Sequence, residues 1–155
     1  MTNANFKQAK AELLSEMLNM KSCRESILAV KYSKELGELA RILINYRVNL
    51  RNENFPKINW YRKWFVPEEL VRYNIYLDTN ANVSGVFDNV FVLGDSHVTI
   101  TSDAIKMQYV FARDNARVIV NAGKFSIFHI TIRDNALVTI NKAPNARVII
   151  SDKRK

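Results

Sequence analysis

Apolar positions follow two different periods along the chain, and the change between them divides it. Phe6, Ala9, Leu13, Met17 and Met20 recur at three- and four-residue steps, which predicts a helix with one buried stripe. Ser22-Cys23-Arg24-Glu25 reads as a capping box, with Ser22 as N-cap and Glu25 reaching back. The second helix then carries Ile27, Leu28, Val30, Leu36, Leu39, Leu43 and Tyr46, and Ser33 and Gly37 are where it would bend or split. Arg51-Asn52-Glu53-Asn54 and Pro56 predict a loop. Val66-Pro67-Glu68-Glu69-Leu70 predicts one helical turn with Pro67 at its first position.

From Gly94 onward the period changes to two, nested in a repeat of ten. GDSHVTITSD (94–103), DNARVIVNAG (114–123), DNALVTINKA (134–143) and PNARVIISDK (144–153) align without gaps. KFSIFHITIR (124–133) fits more loosely and AIKMQYVFAR (104–113) poorly. In the fitting units the third position is small (Ser96, Ala116, Ser126, Ala136, Ala146). The fifth and seventh are apolar, as in Val98 and Ile100 or Val118 and Val120. Alternation of this kind predicts short strands with the odd positions buried. The best matches are twenty residues apart, so the expected coil has two ten-residue sides. Thr79–Val83 and Asp88–Val92 look like earlier, degraded units. Asn80, Asn115, Asn135 and Asn145 suit corners, where Asn tolerates left-handed backbone and stacked amides can bond along the axis.

The expected fold class is therefore α+β. An α-helical N-terminal region, residues 1–72, caps one end of a short single-stranded β-solenoid (β-helix) of about four coils, residues 73–155. Residue usage changes at the same place: every Glu lies at or before Glu69 and every Asp at or after Asp78. Glu favours helices and Asp favours turns.

Charge and chemistry narrow the functional classes. The net charge is +8, split as +5 up to Arg72 and +3 beyond it, so both halves are basic. A basic surface attracts nucleic acid or acidic protein. The lone Cys23, the charged first twenty residues and the lack of any long apolar run predict a cytoplasmic protein that does not enter membranes. There is no phosphate loop and no paired-cysteine motif. His97 and His129 both point outward, from opposite sides of the coil, so they should not converge on a metal. No catalytic residue, metal or cofactor is expected.

Two sets of residues are candidate contacts with a nucleic acid (RNA or DNA) or a nucleic-acid-binding protein complex. The first lies in Lys57-Ile58-Asn59-Trp60-Tyr61-Arg62-Lys63-Trp64-Phe65, where Lys57, Trp60, Tyr61, Arg62, Lys63 and Trp64 interleave cations with aromatics. The competing reading packs both tryptophans, on one helical face, into the helix–solenoid junction. The second set is Arg113, Arg117, Arg133, Arg147 and Lys153. Of these, Arg113, Arg133 and Lys153 recur at the tenth position and should form a ladder, relieved by the neighbouring Asp114 and Asp134.

The run Asp114-Asn115-Ala116-Arg117-Val118, repeated at Asp134–Val138 and Pro144–Val148, resembles the Asp-Asn-Ala-x-Val repeats of β-solenoid proteins encoded by phages and mobile elements. The resemblance covers the C-terminal half. It implies a small mobile-element protein and, by analogy, an inhibitor of a host defence system such as an anti-CRISPR protein. The leading expectation is thus a non-enzymatic protein that binds through basic surface. One alternative is a hexapeptide-repeat acyltransferase: a six-residue register runs from Val86 through Val92 and Val98 to Phe128, but fails at Asp134. Another is a self-assembling solenoid, forming a homo-oligomer through the end that follows Ile150.

Overall fold

The computed structural model describes residues 3–47 and 55–154. Chain contacts divide it into two compact units, Met1–Tyr73 and Asn74–Lys155. The predicted loop at Arg51–Asn54 lies outside the described residues.

The first unit is helical: α1 (Asn3–Asn19), α2 (Arg24–Tyr32), α3 (Leu36–Asn45), α4 (Ile58–Trp64) and α5 (Pro67–Leu70), then a 3₁₀ turn at Val71–Tyr73. Ala9, Leu13 and Met17 are fully buried, which is the predicted stripe of α1. The capping box does not form. Lys21 takes a left-handed φ of 51°, its N–H reaches the Leu18 carbonyl, and the Ser22 N–H reaches that of Met17. This double closure satisfies the end of α1, and it spends Ser22 there. Cys23 becomes the N-cap of α2, with no side-chain cap bond. The predicted second helix splits at Ser33, whose hydroxyl donates to the Val30 carbonyl at 2.7 Å and whose carbonyl accepts from Lys10 Nζ at 2.7 Å. Gly37 lies in the first turn of α3, where a Cβ would stand 2.2 Å from the Tyr73 hydroxyl, so a larger residue would have to displace the Tyr73 side chain.

The second unit is the β-solenoid. Nine strands follow: β1 (Ile75–Leu77), β2 (Asn80–Ser84), β3 (Asn89–Leu93), β4 (His97–Ser102), β5 (Met107–Ala112), β6 (Arg117–Ala122), β7 (Ile127–Ile132), β8 (Leu137–Lys142) and β9 (Arg147–Asp152). Odd strands stack in parallel as sheet I, β1-β3-β5-β7-β9, and even strands as sheet II, β2-β4-β6-β8. Each coil therefore has two sides, as the twenty-residue spacing requires.

Register confirms the frame. Val98 pairs with Val118 and Val118 with Val138 in sheet II, while Phe128 pairs with Val148 in sheet I. The odd decamer positions line one core, closed by Ser96, Ala116, Ser126 and Ala136, each fully buried at the third position. The poorly fitting unit 104–113 obeys the same frame, placing Gln108, Val110 and Ala112 inward. The six-residue register does not describe the coil, which has two sheets instead of three, and Val86 is 68% exposed. The first coil is shorter: Ile75 pairs with Phe91, and Asn80 with His97.

Side chains bind coil to coil at the corners. Where sheet I passes to sheet II, Asp78, Gly94, Asp114 and Asp134 occupy the left-handed position. Asp, not the neighbouring Asn, thus makes the bend at Asp114 and Asp134. Its carboxylate also accepts a backbone N–H of the coil before, at 3.1 Å from Gly94 and 3.2 Å from Asp114. Asn135 bonds Asn115, and Asn115 bonds Asp95, at 3.3 and 2.9 Å. At the opposite corner the left-handed residues are Gly85, Phe125 and Asn145. Asn80 is no corner; it opens β2.

Candidate interaction surfaces

The aromatic–basic segment is helix α4, and its rings face inward. Tyr61 is fully buried and Trp60 and Trp64 are nearly so. Trp60 meets Tyr61 edge-on at 5.4 Å and Phe65 at 5.6 Å. Trp64 Nε1 donates to Glu12 Oε2 at 2.9 Å. Stacking on bases would need these faces open, so Trp60, Tyr61 and Trp64 are structural residues here. Lys63 is exposed but engaged, with Nζ 2.7 Å from Glu12 Oε1 and 4.5 Å from the Trp64 ring centroid. Hydrogen bonding from Lys63, joined by that from Trp64 and Gln8, holds the Glu12 carboxyl below its ordinary range. Lys57 and Arg62 remain at the surface.

The predicted arginine ladder is also turned inward. Arg113 is fully buried and Arg133 nearly so, and Arg113 Nε lies 3.4 Å from Asp114 Oδ2. A buried cation is tolerated only with counter-charge and hydrogen bonds, and the corner aspartate supplies the first. Strict alternation would send the tenth position outward; the left-handed bend at the next residue redirects it under the corner. Neither arginine is open to a partner. Lys153, in the same series, is exposed, as are Arg117 and Arg147.

Two open surfaces emerge on the solenoid. The first is the edge formed by the four passages from sheet II to sheet I: Gly85–Asp88, Asp103–Lys106, Gly123–Ser126 and Ala143–Ala146. Val86, Ile105 and Phe125 project from three successive passages, 68%, 78% and 46% exposed. Lys106, Lys124, Lys142 and Arg147 lie among them. Lys106 is paired with Asp88 at 2.7 Å, and Lys124 Nζ sits 5.2 Å from the Phe125 ring centroid. Asp103 is the other acid of this edge. The opposite edge carries Asp78, Asp95, Asp114, Asp134 and Asp152, but Arg113, Arg133, Lys153 and Arg154 stand at the same corners and largely balance them, whereas cations outnumber acids along the first edge.

The second is a groove of about 560 Å³ on the outer face of sheet II. It crosses β2, β4, β6 and β8 near the corners where sheet I passes to sheet II, where Asn80, His97, Arg117 and Leu137 stand in register. Asn82, Thr99, Ile119 and Thr139 form its second row. Sequence reasoning marked Arg117 alone in this set, because only stacking shows which residues of four strands share a floor.

His97 lies in sheet II and His129 in sheet I, where its Nε2 is 2.9 Å from Ser151 Oγ. Among the described residues no three His, Cys, Asp or Glu side chains gather as a metal cluster, and no helix is long and apolar enough to cross a membrane. Comparison with family models, curated proteins and solved structures found no match to this chain.

Proposed function

We propose that this chain is a non-enzymatic binding protein that docks its basic, apolar-studded solenoid edge onto an acidic surface of another protein. The observation that carries the reading is the alignment of Val86, Ile105 and Phe125 with Lys124, Lys142 and Arg147 on one edge. Protein interfaces combine apolar anchors with complementary charge at the rim. A phosphate backbone would satisfy the cations but leave Ile105 and Val86 without a partner. The buried state of Trp60, Tyr61 and Trp64 further weakens the case for base stacking.

Phe125 strengthens the assignment. Its φ of 67° is left-handed, a conformation costly for a bulky side chain, and Gly85 and Asn145 serve equivalent bends without an aromatic. Retained strain at an exposed residue points to a role outside folding. The cytoplasmic setting expected from the lone Cys23 and the charged first twenty residues belongs to the same proposal, as do the mobile-element origin and the nucleic-acid-handling target that the repeat resemblance implies.

The test is affinity capture from the native host with the wild type and with Lys124→Glu/Lys142→Glu/Arg147→Glu. The expected result is a protein partner with an acidic surface, retained after nuclease treatment and lost from the triple variant, whose circular dichroism and melting temperature stay unchanged. Nuclease-sensitive capture, or heparin affinity falling steeply with salt, would replace this reading with nucleic-acid binding. Equal capture by both forms would refute it.

A further inference from the structure

We propose that the groove on sheet II is a separate binding site for a small organic anion, a carboxylate or phosphate carried on an apolar or aromatic body. The first support is electrostatic. The outward side chains of β2, β4, β6 and β8 include no acid: they are Asn, Ser, His, Thr, Arg, Ile and Leu. Arg117 is the arginine of that face, and its side chain makes no ion pair or hydrogen bond with the described residues. It stands directly between His97 and Leu137 on strands about 4.8 Å to either side. The guanidinium of an arginine placed there offers a planar, two-pronged donor for one oxyanion.

The second support is a contrast within the same face. One row along, Asn141 bonds Asn121 at 2.8 Å and Asn121 bonds Thr101 at 3.2 Å, so those polar groups are spent on one another. In the groove, the side chains of Asn80, Asn82, His97, Thr99 and Thr139 make no hydrogen bond with the described residues. Stacked coils can use such groups in ladders, yet here they stay available around a concavity.

The third support is size and mixture. About 560 Å³ falls within the range of small-molecule sites. Ile119 and Leu137, both about half-exposed, give an apolar floor beside the cation. A single cation suits a single anionic group, because a nucleic-acid backbone requires several. The groove lies at the start of the sheet II strands and the basic edge at their ends, about 17–20 Å away for strands of this length. The two sites are therefore separable by mutation, and this inference does not rest on the docking proposal.

The experiment is an NMR titration of the full chain with phenyl phosphate, benzoate, inorganic phosphate and phenol. Saturable shifts of the Arg117, His97, Ile119 and Leu137 amides are expected with one or both aryl anions, and much weaker ones with inorganic phosphate or phenol. A response to phenyl phosphate alone assigns a phosphate ligand, to benzoate alone a carboxylate, and to both the shared anion chemistry. Arg117→Gln should weaken binding roughly tenfold or more, as loss of a charged hydrogen bond does. Lys124→Glu should leave it unchanged. Absence of saturable shifts, shifts confined to the basic edge, or full affinity in a folded Arg117→Gln variant would overturn the proposal.

Discussion

Gln108 occupies a position that the repeat otherwise gives to Val or Phe. Its side chain is fully buried in the solenoid interior, and neither amide atom has a hydrogen-bond partner among the described residues. Burying such a group without a partner costs about 1–3 kcal/mol. Gln108→Leu is therefore expected to raise stability by that order, read as an increased denaturation midpoint at unchanged slope. Glu12 behaves in the opposite sense, since its carboxylate is well partnered and its pKa is depressed. A depressed carboxyl contributes stability above its unfolded range, and that contribution disappears as pH falls through the folded value. Lys63→Met should move the Glu12 titration up toward the ordinary range, measurable by NMR. Because both side chains are substantially exposed, the stability lost should stay below about 1 kcal/mol.

At the scale of elements, the corners separate what the sequence reveals from what it hides. Alternating Val and Ile make β6, β8 and β9 visible, because a half-buried strand must show one apolar face. Helix α1 is equally legible from its stripe. The Ser-x-x-Glu pattern sets the N-cap of α2 one residue early, at Ser22 instead of Cys23, since it does not reveal that the preceding helix will spend Ser22 on its own closure. Arg113 and Arg133 look exposed in any strictly alternating frame; only the left-handed bend beside them shows otherwise. The basic edge was hidden for another reason. Ile105 and Phe125 share a decamer position, but Val86 belongs to the shorter first coil and joins them only after stacking. Phe125 ties this edge to a measurable trade. Phe125→Gly relieves left-handed strain and should gain about 1 kcal/mol of stability, while capture of the partner should weaken. Loss of stability without loss of capture would contradict both halves of that expectation.

For the whole solenoid, the twenty-residue register is the unit of design. From β3 onward, each strand pairs with another twenty residues away, and the corner bonds join coils at the same spacing. Repeat proteins of this kind draw stability from nearest-neighbour interfaces. Duplicating residues 114–133 should then yield a folded chain with one more coil and a higher denaturant midpoint. Adding nineteen residues instead would reverse which side chains face inward in part of the structure, and should abolish cooperative unfolding.

The hydrogen bonds between coils run along the stacking direction, together with the Asp and Asn side-chain bonds. Tension applied along that axis therefore opens one layer at a time, and does not shear many bonds at once. β9, held on one side only by β7, would detach first under a load on its end. In a single-molecule stretching experiment, the trace should show a regular sawtooth at low force. Each tooth should release one coil of slack, about 70 Å for twenty residues of extended chain.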